Sequence, residues 1–185
     1  MMLLKSKAFI CMGLLAVVLA SCESNLKDVQ MMNAVAFSPA GQSEDINLKY
    51  TDSGELKAIL ESPLMLDFSN LDYGFNEFPK GVHVTMLDEN GNKTFIESDY
   101  AISYNKTQLI DLQGNVKITS HDGKRLETQQ LYYDQKNEWF YTEKNFKFTD
   151  EDGRYYEGPG IDFNKDFSII NAQQNSGEGN VDNIE

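Results

Sequence analysis

The stretch that decides the fold is Arg125 to Arg154, RLETQQLYYDQKNEWFYTEKNFKFTDEDGR, because the chain repeats it. Written without gaps below residues 95–124 (FIESDYAISYNKTQLIDLQGNVKITSHDGK) and above the chain from Tyr155 onward, it places similar residues in columns spaced 30 apart. The clearest column is polar: Glu97, Glu127 and Glu157. The apolar columns are Ile96, Leu126 and Tyr156; Ala101, Leu131 and Ile161; Ser103, Tyr133 and Phe163; Leu109, Trp139 and Ile169; Val116 and Phe146; and Ile118 and Phe148.

Each repeat has the pattern of two β-strands and two turns. Short apolar and aromatic runs alternate with Asn90-Gly91, Asp122-Gly123 and Asp152-Gly153, dipeptides that tolerate the positive φ angles of tight hairpin turns. We find no helical period longer than about two turns in this part of the chain. A looser fourth copy lies upstream, where Leu60-Glu61-Ser62 resembles Leu126-Glu127-Thr128. The repeat therefore predicts an all-β domain in which each unit adds strands and buries its apolar column against its neighbour.

A change of side-chain parity within each repeat predicts that the sheet bends. Leu126 and Thr128 stand at even positions, whereas Leu131 and Tyr133 stand at odd ones, so a regular strand would point the two pairs to opposite faces. All four can face the same side only if the strand contains an extra residue, a β-bulge, near 129–130. The repeat places equivalent bulges near 99–100 and 159–160. A sheet bent at the same place in every repeat curls into a sandwich, trough or open barrel with the apolar columns on its concave face.

Composition disfavours several classes of function. The chain has 185 residues, 41% of them hydrophobic, which suits one globular domain. Its formal net charge of -13, with no run of Lys or Arg, makes nucleic acid an unsuitable partner. Two His and two Cys cannot build a four-ligand zinc site with the usual spacing and leave little for nucleophilic catalysis. We therefore expect no enzyme activity, no metal and no cofactor, although an enzyme of unrecognised type stays as a weak alternative.

The N-terminus has the features of a lipoprotein signal. Lys5 and Lys7 precede the uncharged segment 8–19, which is too short to cross a hydrocarbon core of about 30 Å and is typical of a signal-peptide core. The following Leu19-Ala20-Ser21-Cys22 resembles a bacterial lipobox. This resemblance implies cleavage before Cys22, acylation of that cysteine and a protein tethered to a bilayer away from the cytoplasm. The alternative is that Cys22 is merely a small residue near an ordinary cleavage site.

The chain is therefore divided into four segments. Residues 1–21 are predicted to be a signal peptide, 22–45 an acylated N-terminus and flexible spacer, 46–172 the β-domain, and 173–185 an acidic tail. Within the tail, Gly179-Asn180-Val181 resembles Gly114-Asn115-Val116, which suggests a last short strand after an insertion.

Other polar residues have structural interpretations. His83 lies on an alternating strand and His121 in a turn, with no carboxylate or Cys at ligand spacing, so we expect both to be structural or solvated. The acid-rich turns at 88–91 and 150–153 do not have the alternating ligands of an EF-hand, and we expect hairpin turns there. The recurring glutamates are explained by the repeat rather than by catalysis.

Several motifs resemble the LptC family, the periplasmic component of lipopolysaccharide export, and the OstA-like domains that it shares with a soluble bridge protein. They are Leu126-Glu127-Thr128, the run 131–134 (LYYD), the segment 112–116 (LQGNV) and the Asp-Gly turns, and the resemblance covers roughly residues 55–172. It implies an open antiparallel β-jelly roll that shields the acyl chains of lipopolysaccharide. Such a domain would receive them from an inner-membrane ABC transporter and pass them to an LptA-like periplasmic bridge protein by edge-to-edge strand pairing.

The resemblance also assigns site residues. The candidates for the lipid groove are Ile96, Ala101, Leu109, Val116, Ile118, Leu126, Leu131, Tyr133, Trp139, Phe146, Phe148, Tyr156, Ile161, Phe163 and Ile169. Without the resemblance, the column of Trp139 would be assigned to a sandwich core instead. The candidates for the partner edge are Phe167, Ser168, Ile169 and Ile170, together with the tail.

Two points of function stay open in the sequence. Better-known members of the family have a transmembrane helix where this chain has a lipobox, so we expect a lipid anchor at the periplasmic face of the inner membrane, with the outer membrane as the alternative. The alternative function is that of an outer-membrane surface lipoprotein that binds protein or carbohydrate through a closed β-sandwich.

Overall fold

The structure is a computed structural model that describes residues 38–173 and 176–178. In this part of the chain there is no helix long and apolar enough to cross a membrane. The described residues form one 14-stranded antiparallel sheet. Its strands are β1 (Gly41–Asp52), β2 (Glu55–Asp67), β3 (Phe75–Phe78), β4 (Val82–Leu87), β5 (Lys93–Ser98), β6 (Tyr100–Tyr104), β7 (Leu109–Thr119), β8 (Arg125–Asp134), β9 (Trp139–Thr142), β10 (Phe146–Thr149), β11 (Tyr155–Gly158), β12 (Ile161–Asn164), β13 (Ile170–Ala172) and β14 (Ser176–Glu178).

The sheet is folded into two layers because its long strands change partners halfway. The first half of β7 pairs with β6 and its second half with β5, while β8 pairs first with β10 and then with β9. Layer A consists of β3, β6, the first half of β7, the second half of β8, β9, β12 and β13. Layer B consists of β4, β5, the second half of β7, the first half of β8, β10, β11 and β14. β2 pairs with β4 and then with β3, so β1 and β2 run along both layers. The predicted open antiparallel β-jelly roll is confirmed.

The bend between the layers lies where the sequence parity changes. Thr128 and Leu131 are both buried and Gln129 between them is exposed, which confirms the predicted switch. The extra residue that was predicted near 129–130 lies instead on the partner strand β7, where Gly114 and Asn115 together oppose Gln129. Both residues have a positive φ, of 73° and 45°. A Cβ on Gly114 would also lie 3.1 Å from the Asp99 side chain, so glycine suits this position on two grounds.

Buried hydroxyl groups hold the bend together. Ser62 Oγ donates to the carbonyl of Gly81 at 2.7 Å, and Ser98 Oγ donates to the carbonyl of Tyr100 at 3.0 Å. Thr128 occupies the equivalent position in the next repeat. The recurring Leu-Glu-Ser/Thr motif thus has a structural meaning: the leucine faces inward, the glutamate faces solvent and the hydroxyl residue bonds to backbone at the bend.

Both ends of the domain reach further than the sequence indicates. β1 begins at Gly41, five residues inside the segment that was predicted to be a spacer, because residues 41–44 pair with 64–67 of β2. At the other end β14 starts at Ser176, 30 residues after Phe146, so the repeat continues without the predicted insertion and part of the predicted tail belongs to layer B. Both strands lie at sheet edges. The parts that fall outside the predicted bounds, residues 42–45 and 176–177, are polar or glycine and exposed, so they carry no hydrophobic signal. The segment Gly179-Asn180-Val181 lies outside the described residues.

Candidate functional site

A cavity of about 1060 Å³ lies between the two layers. It stands at the upper end of the range of about 300–1,000 Å³ that is typical of small-molecule sites. Its walls are apolar and come from both layers; they include Leu60, Val84, Met86, Ile96, Ile110 and Leu112. Such a space can hold a hydrocarbon group out of water.

The walls follow from strict alternation along short strands. In β4, Val82, Val84 and Met86 line the cavity, and successive side chains of a strand point to opposite faces. Val84 is opposite Leu60 on one neighbouring strand and opposite Ile96 on the other. Three adjacent strands therefore present one continuous apolar surface to the cavity.

The mouth of the cavity is polar and charged. The charged residues that border it are Lys49, Asp52, Lys57, Asp88, Glu89, Asp122, Glu138, Lys165 and Asp166. The acid-rich segments are hairpin turns, as predicted: Asp88 Oδ1 accepts backbone N–H groups of Asn90 and Asn92, both at 2.8 Å. A hydrogen bond from the Asn92 side chain, supported by these two backbone bonds, lowers the pKa of Asp88. In the described residues no three His, Cys, Asp or Glu side chains are grouped so that they could hold a metal ion.

One mouth turn contains a strongly acidic carboxyl group. Partial burial would raise the pKa of Asp122, but hydrogen bonds from the Lys124 ammonium and the Ser120 hydroxyl outweigh it and lower the pKa to about 2. The carboxylate is therefore ionised throughout the physiological range. Together with the lysines, it makes the mouth a mixed-charge surface above an apolar interior.

The N-terminal side of the cavity is open. Leu48 and Tyr50 of β1 are opposite Leu60 and Ala58, both of which line the cavity, and they face the same way. Nevertheless 47% of Leu48 and 65% of Tyr50 are exposed. An apolar wall thus continues from the cavity to solvent along the first strand.

The C-terminal half of the interior is packed instead. Tyr133 stacks on Phe140 with ring centroids 4.3 Å apart, Phe140 stacks on Phe163 at 5.2 Å, and Phe163 stacks on Phe167 at 4.7 Å. Phe148 of layer B completes this aromatic column at 6.0 Å from Phe167. Aromatic side chains fill here the space that stays open in the N-terminal half.

The predicted groove residues divide between these two regions. Ile96, Ala101 and Tyr133 line the cavity. A larger group is buried in the core without lining the cavity: Val116, Ile118, Leu126, Leu131, Phe146, Phe148, Ile161 and Phe163. Tyr156 is opposite Phe148 and so shares its inward face, but 38% of it is exposed at the C-terminal end of layer B. The repeat places most of the candidates on the inward face, and it does not distinguish a packed interior from an open one.

One predicted groove column lies off the inward face. Phe140 takes the inward position of β9, so its neighbour Trp139 faces outward, and the indole N–H donates to Asp162 Oδ1 at 3.2 Å. Trp139 borders the mouth only at the end of its strand. Side chains alternate along β7, so Leu109 and Asp111 point away from the face that carries the cavity residues Ile110 and Leu112. Ile169, the third member of the column, is 51% exposed in a turn.

The predicted partner edge is also placed differently. Phe167 is only 7% exposed and belongs to the core, and Ser168 and Ile169 lie in the turn between β12 and β13. Of the four candidates, only Ile170 is part of a strand. Within residues 38–173 and 176–178, the C-terminal edge consists of β13 in layer A and β14 in layer B.

The recurring glutamates form a charge ladder on the outer face of layer B. Across neighbouring strands the order is Glu97, Lys117, Glu127, Lys147 and Glu157. Lys147 Nζ lies 3.7 Å from Glu157 Oε1, and His83 Nδ1 lies 3.1 Å from Glu97 Oε1. Alternating charges on adjacent strands favour this register, so the column has a structural explanation.

Sequence reasoning missed most of the cavity wall. Leu60, Val84, Met86, Ile110 and Leu112 were not among the candidates, and neither were Leu48 and Tyr50. The alternating run 82–86 (VHVTM) carried the signal for part of it. That run lies in the least regular copy of the repeat, where columns could not be aligned.

Comparison with known proteins identifies one family. The sequence profile described as "Lipopolysaccharide-assembly, LptC-related" matches residues 12–175, which is most of the chain. A search of curated proteins gives no significant match. Members of the matching family are non-enzymatic transport components that are periplasmic and associated with the inner membrane. The chain therefore belongs to the LptC-related family of lipopolysaccharide-assembly proteins and is a component of lipopolysaccharide export.

Proposed function

We propose that the interlayer cavity shields acyl chains of lipopolysaccharide while the charged mouth faces the lipid's polar part. The observation that carries this proposal is the apolar cavity of about 1060 Å³ with charged side chains at its mouth. Burying a methylene is worth about 0.8 kcal/mol, so a chain of about a dozen carbons needs on the order of 10 kcal/mol of shielding in an aqueous compartment. A space with apolar walls and a polar opening meets this need for an amphiphile.

Each end of the domain has a role in this proposal. Acyl chains from an inner-membrane ABC transporter would arrive at the N-terminal side, where Leu48 and Tyr50 are exposed beside the cavity. At the C-terminal side, β13 and β14 are edge strands, and the nearby Tyr156 and Ile170 are 38% and 37% exposed. Edge strands recruit partners by adding a strand to the sheet. The LptA-like bridge protein would pair here and cover these apolar groups.

The predicted anchor at Cys22 lies outside the described residues and is part of the same proposal. Acylation of Cys22 would hold the domain at the periplasmic face of the inner membrane. Cys22→Ser should then abolish metabolic labelling with palmitate, and labelling that persists would rule the lipobox out. Membrane fractionation of the labelled protein separates the inner membrane from the outer-membrane alternative.

Photo-crosslinking tests the cavity directly. A photoreactive residue at Tyr133, Met86 or Tyr50 should capture lipopolysaccharide in cells, because these positions line the cavity. The matched control is Tyr141, an aromatic residue on the outer face of layer A that is 36% exposed. Equal capture at Tyr141 and at the cavity positions, or capture at Tyr141 alone, would contradict the proposal.

A further inference from the structure

The cavity ends at two aromatic rings. Phe140 and Phe167 line its C-terminal end. Behind them, Phe163 and Phe148 fill the same interlayer space, with 0% and 4% of their surface exposed. A hydrocarbon chain that enters on the N-terminal side, beside Leu48 and Tyr50, would therefore stop at Phe140 and Phe167.

Phe167 differs from its neighbours because it comes from a turn and not from a strand. It lies between β12 and β13, and its ring reaches Phe163 of layer A at 4.7 Å and Phe148 of layer B at 6.0 Å. Its φ of 59° is in the left-handed region, which a bulky side chain rarely occupies. Such a conformation persists only where the surroundings enforce it, often at a functional position.

Polar contacts around the turn enforce this conformation. Asn164 Oδ1 accepts the backbone N–H of Ile169 at 2.9 Å, and Asn164 Nδ2 donates to Ser168 Oγ at 2.7 Å. Lys165 is fixed to Glu138 twice, by its backbone N–H to the carbonyl at 3.0 Å and by Nζ to Oε1 at 2.9 Å. The turn is thus held to the start of β9, and Phe167 is directed into the interior.

We propose that Phe167 is the specificity-determining end wall of the cavity and limits the length of hydrocarbon chain that the protein accepts. This inference rests on the proposed function, since it presupposes that the cavity binds hydrocarbon. Removal of the Phe167 ring would extend the open space towards Phe163 and Phe148. The strands of both layers would stay in place, because Phe167 belongs to none of them.

The test measures affinity against chain length. Saturated fatty acids of increasing length compete with a fluorescent fatty acid for the purified full-length chain. In the wild type, affinity should rise roughly fourfold with each added methylene until the chain meets the wall, and then level off. Phe167→Ala should continue to gain roughly fourfold per methylene beyond the wild-type limit.

Phe146→Ala is the matched control. Phe146 is equally buried, at 4% exposure, but does not line the cavity, so its loss should destabilise the protein and leave the length limit unchanged. Circular dichroism establishes whether each variant is folded. If Phe167→Ala does not fold, Phe167→Leu should move the limit by a smaller amount.

The outcomes separate the two proposals. Fatty acids that bind the wild type, with the same length limit in the folded Phe167 variants, would overturn the end wall and leave the lipid cavity standing. A chain-length limit that moves as far in Phe146→Ala as in Phe167→Ala would also overturn the end wall. No binding of any fatty acid to the wild type would overturn the proposed function, and the end wall with it.

Discussion

Thr128 Oγ1 donates a hydrogen bond to the backbone carbonyl of Asn145 at 2.9 Å, and this contact joins β8 to the start of β10 at the bend between the layers. The Thr128 side chain is 6% exposed, so water cannot easily replace it. The two layers separate directly after this point. The bend is therefore stabilised by a buried hydroxyl as well as by the bulge on β7.

Thr128→Val should destabilise the protein while keeping its shape. Valine has nearly the same volume but removes the donor to the Asn145 carbonyl, and loss of one such hydrogen bond costs about 0.5–1.5 kcal/mol. The midpoint of urea unfolding measures the loss. Thr107→Val, in an exposed turn, is the matched control and should change stability by less than about 0.5 kcal/mol. Equal stability of the two variants would show that the hydroxyl does not hold the bend.

Glu127→Lys should destabilise the protein by interrupting the alternating charges on the outer face of layer B. The new lysine would stand between Lys117 and Lys147 on adjacent strands, and like charges at this spacing destabilise a sheet by roughly 0.5–1 kcal/mol. The loss should shrink at high salt, because salt screens exposed charges. Glu127→Gln, which keeps the shape and removes only the attraction, should lose less. A loss from Glu127→Lys that does not depend on salt would contradict the ladder.

Asp122 should contribute stability that disappears in acid. Its pKa is lowered from 3.8 to about 2 in the folded protein, so the unfolded chain takes up the proton first as the pH falls. The contribution is therefore complete above about pH 4 and is lost as the pH falls towards 2. Because 27% of the side chain is exposed, we expect about 1–2 kcal/mol at neutral pH.

Unfolding curves between neutral pH and about pH 2 measure this contribution. Asp122→Asn should be less stable than the wild type at neutral pH, and the difference should narrow in acid. His121→Asn, at an exposed position of the same turn, controls for damage to the turn itself. A difference that stays constant down to about pH 2 would show that the Asp122 carboxylate is not responsible.

Gly177→Ala should detach β14 and weaken partner binding. A Cβ at this position would lie 2.2 Å from the carbonyl oxygen of Tyr155, so the strand must move away from β11. The variant should stay folded, because its core is elsewhere, but should no longer co-purify with the bridge protein. Ser176→Ala in the same strand is the matched control and should bind normally.

Truncation tests the same edge in a second way. A chain that ends at Gln173 loses β14 and keeps β13, whereas one that ends at Asn171 also loses Ala172, which pairs with Ile161. Bridge-protein binding that survives the loss of β14, but is lost when the edge strand β1 is altered, would assign the partner to the N-terminal end.

Some parts of the structure follow from the sequence because their signals are local. Alternation within short runs identifies the strands, and the spacing of 30 residues places Glu97, Glu127 and Glu157 on one face. The parity change between Thr128 and Leu131 locates the bend. The anchor at Cys22 remains a sequence prediction. The first five residues of β1, 41–45, were missed, because they include no apolar side chain that could show an alternating pattern.

The sequence by itself determined the all-β class, the repeat, the bend and most of the inward face, since each shows as a regular pattern along the chain. Only the tertiary structure decided which inward side chains border open space. That depends on whether side chains from distant strands fill the gap between the layers. Around Val84 and Ile110 they leave a cavity, while Phe140, Phe163 and Phe148 close the other half with Phe167, whose ring comes from a turn. Whether side chains from distant strands fill the same space leaves no periodic pattern along the chain.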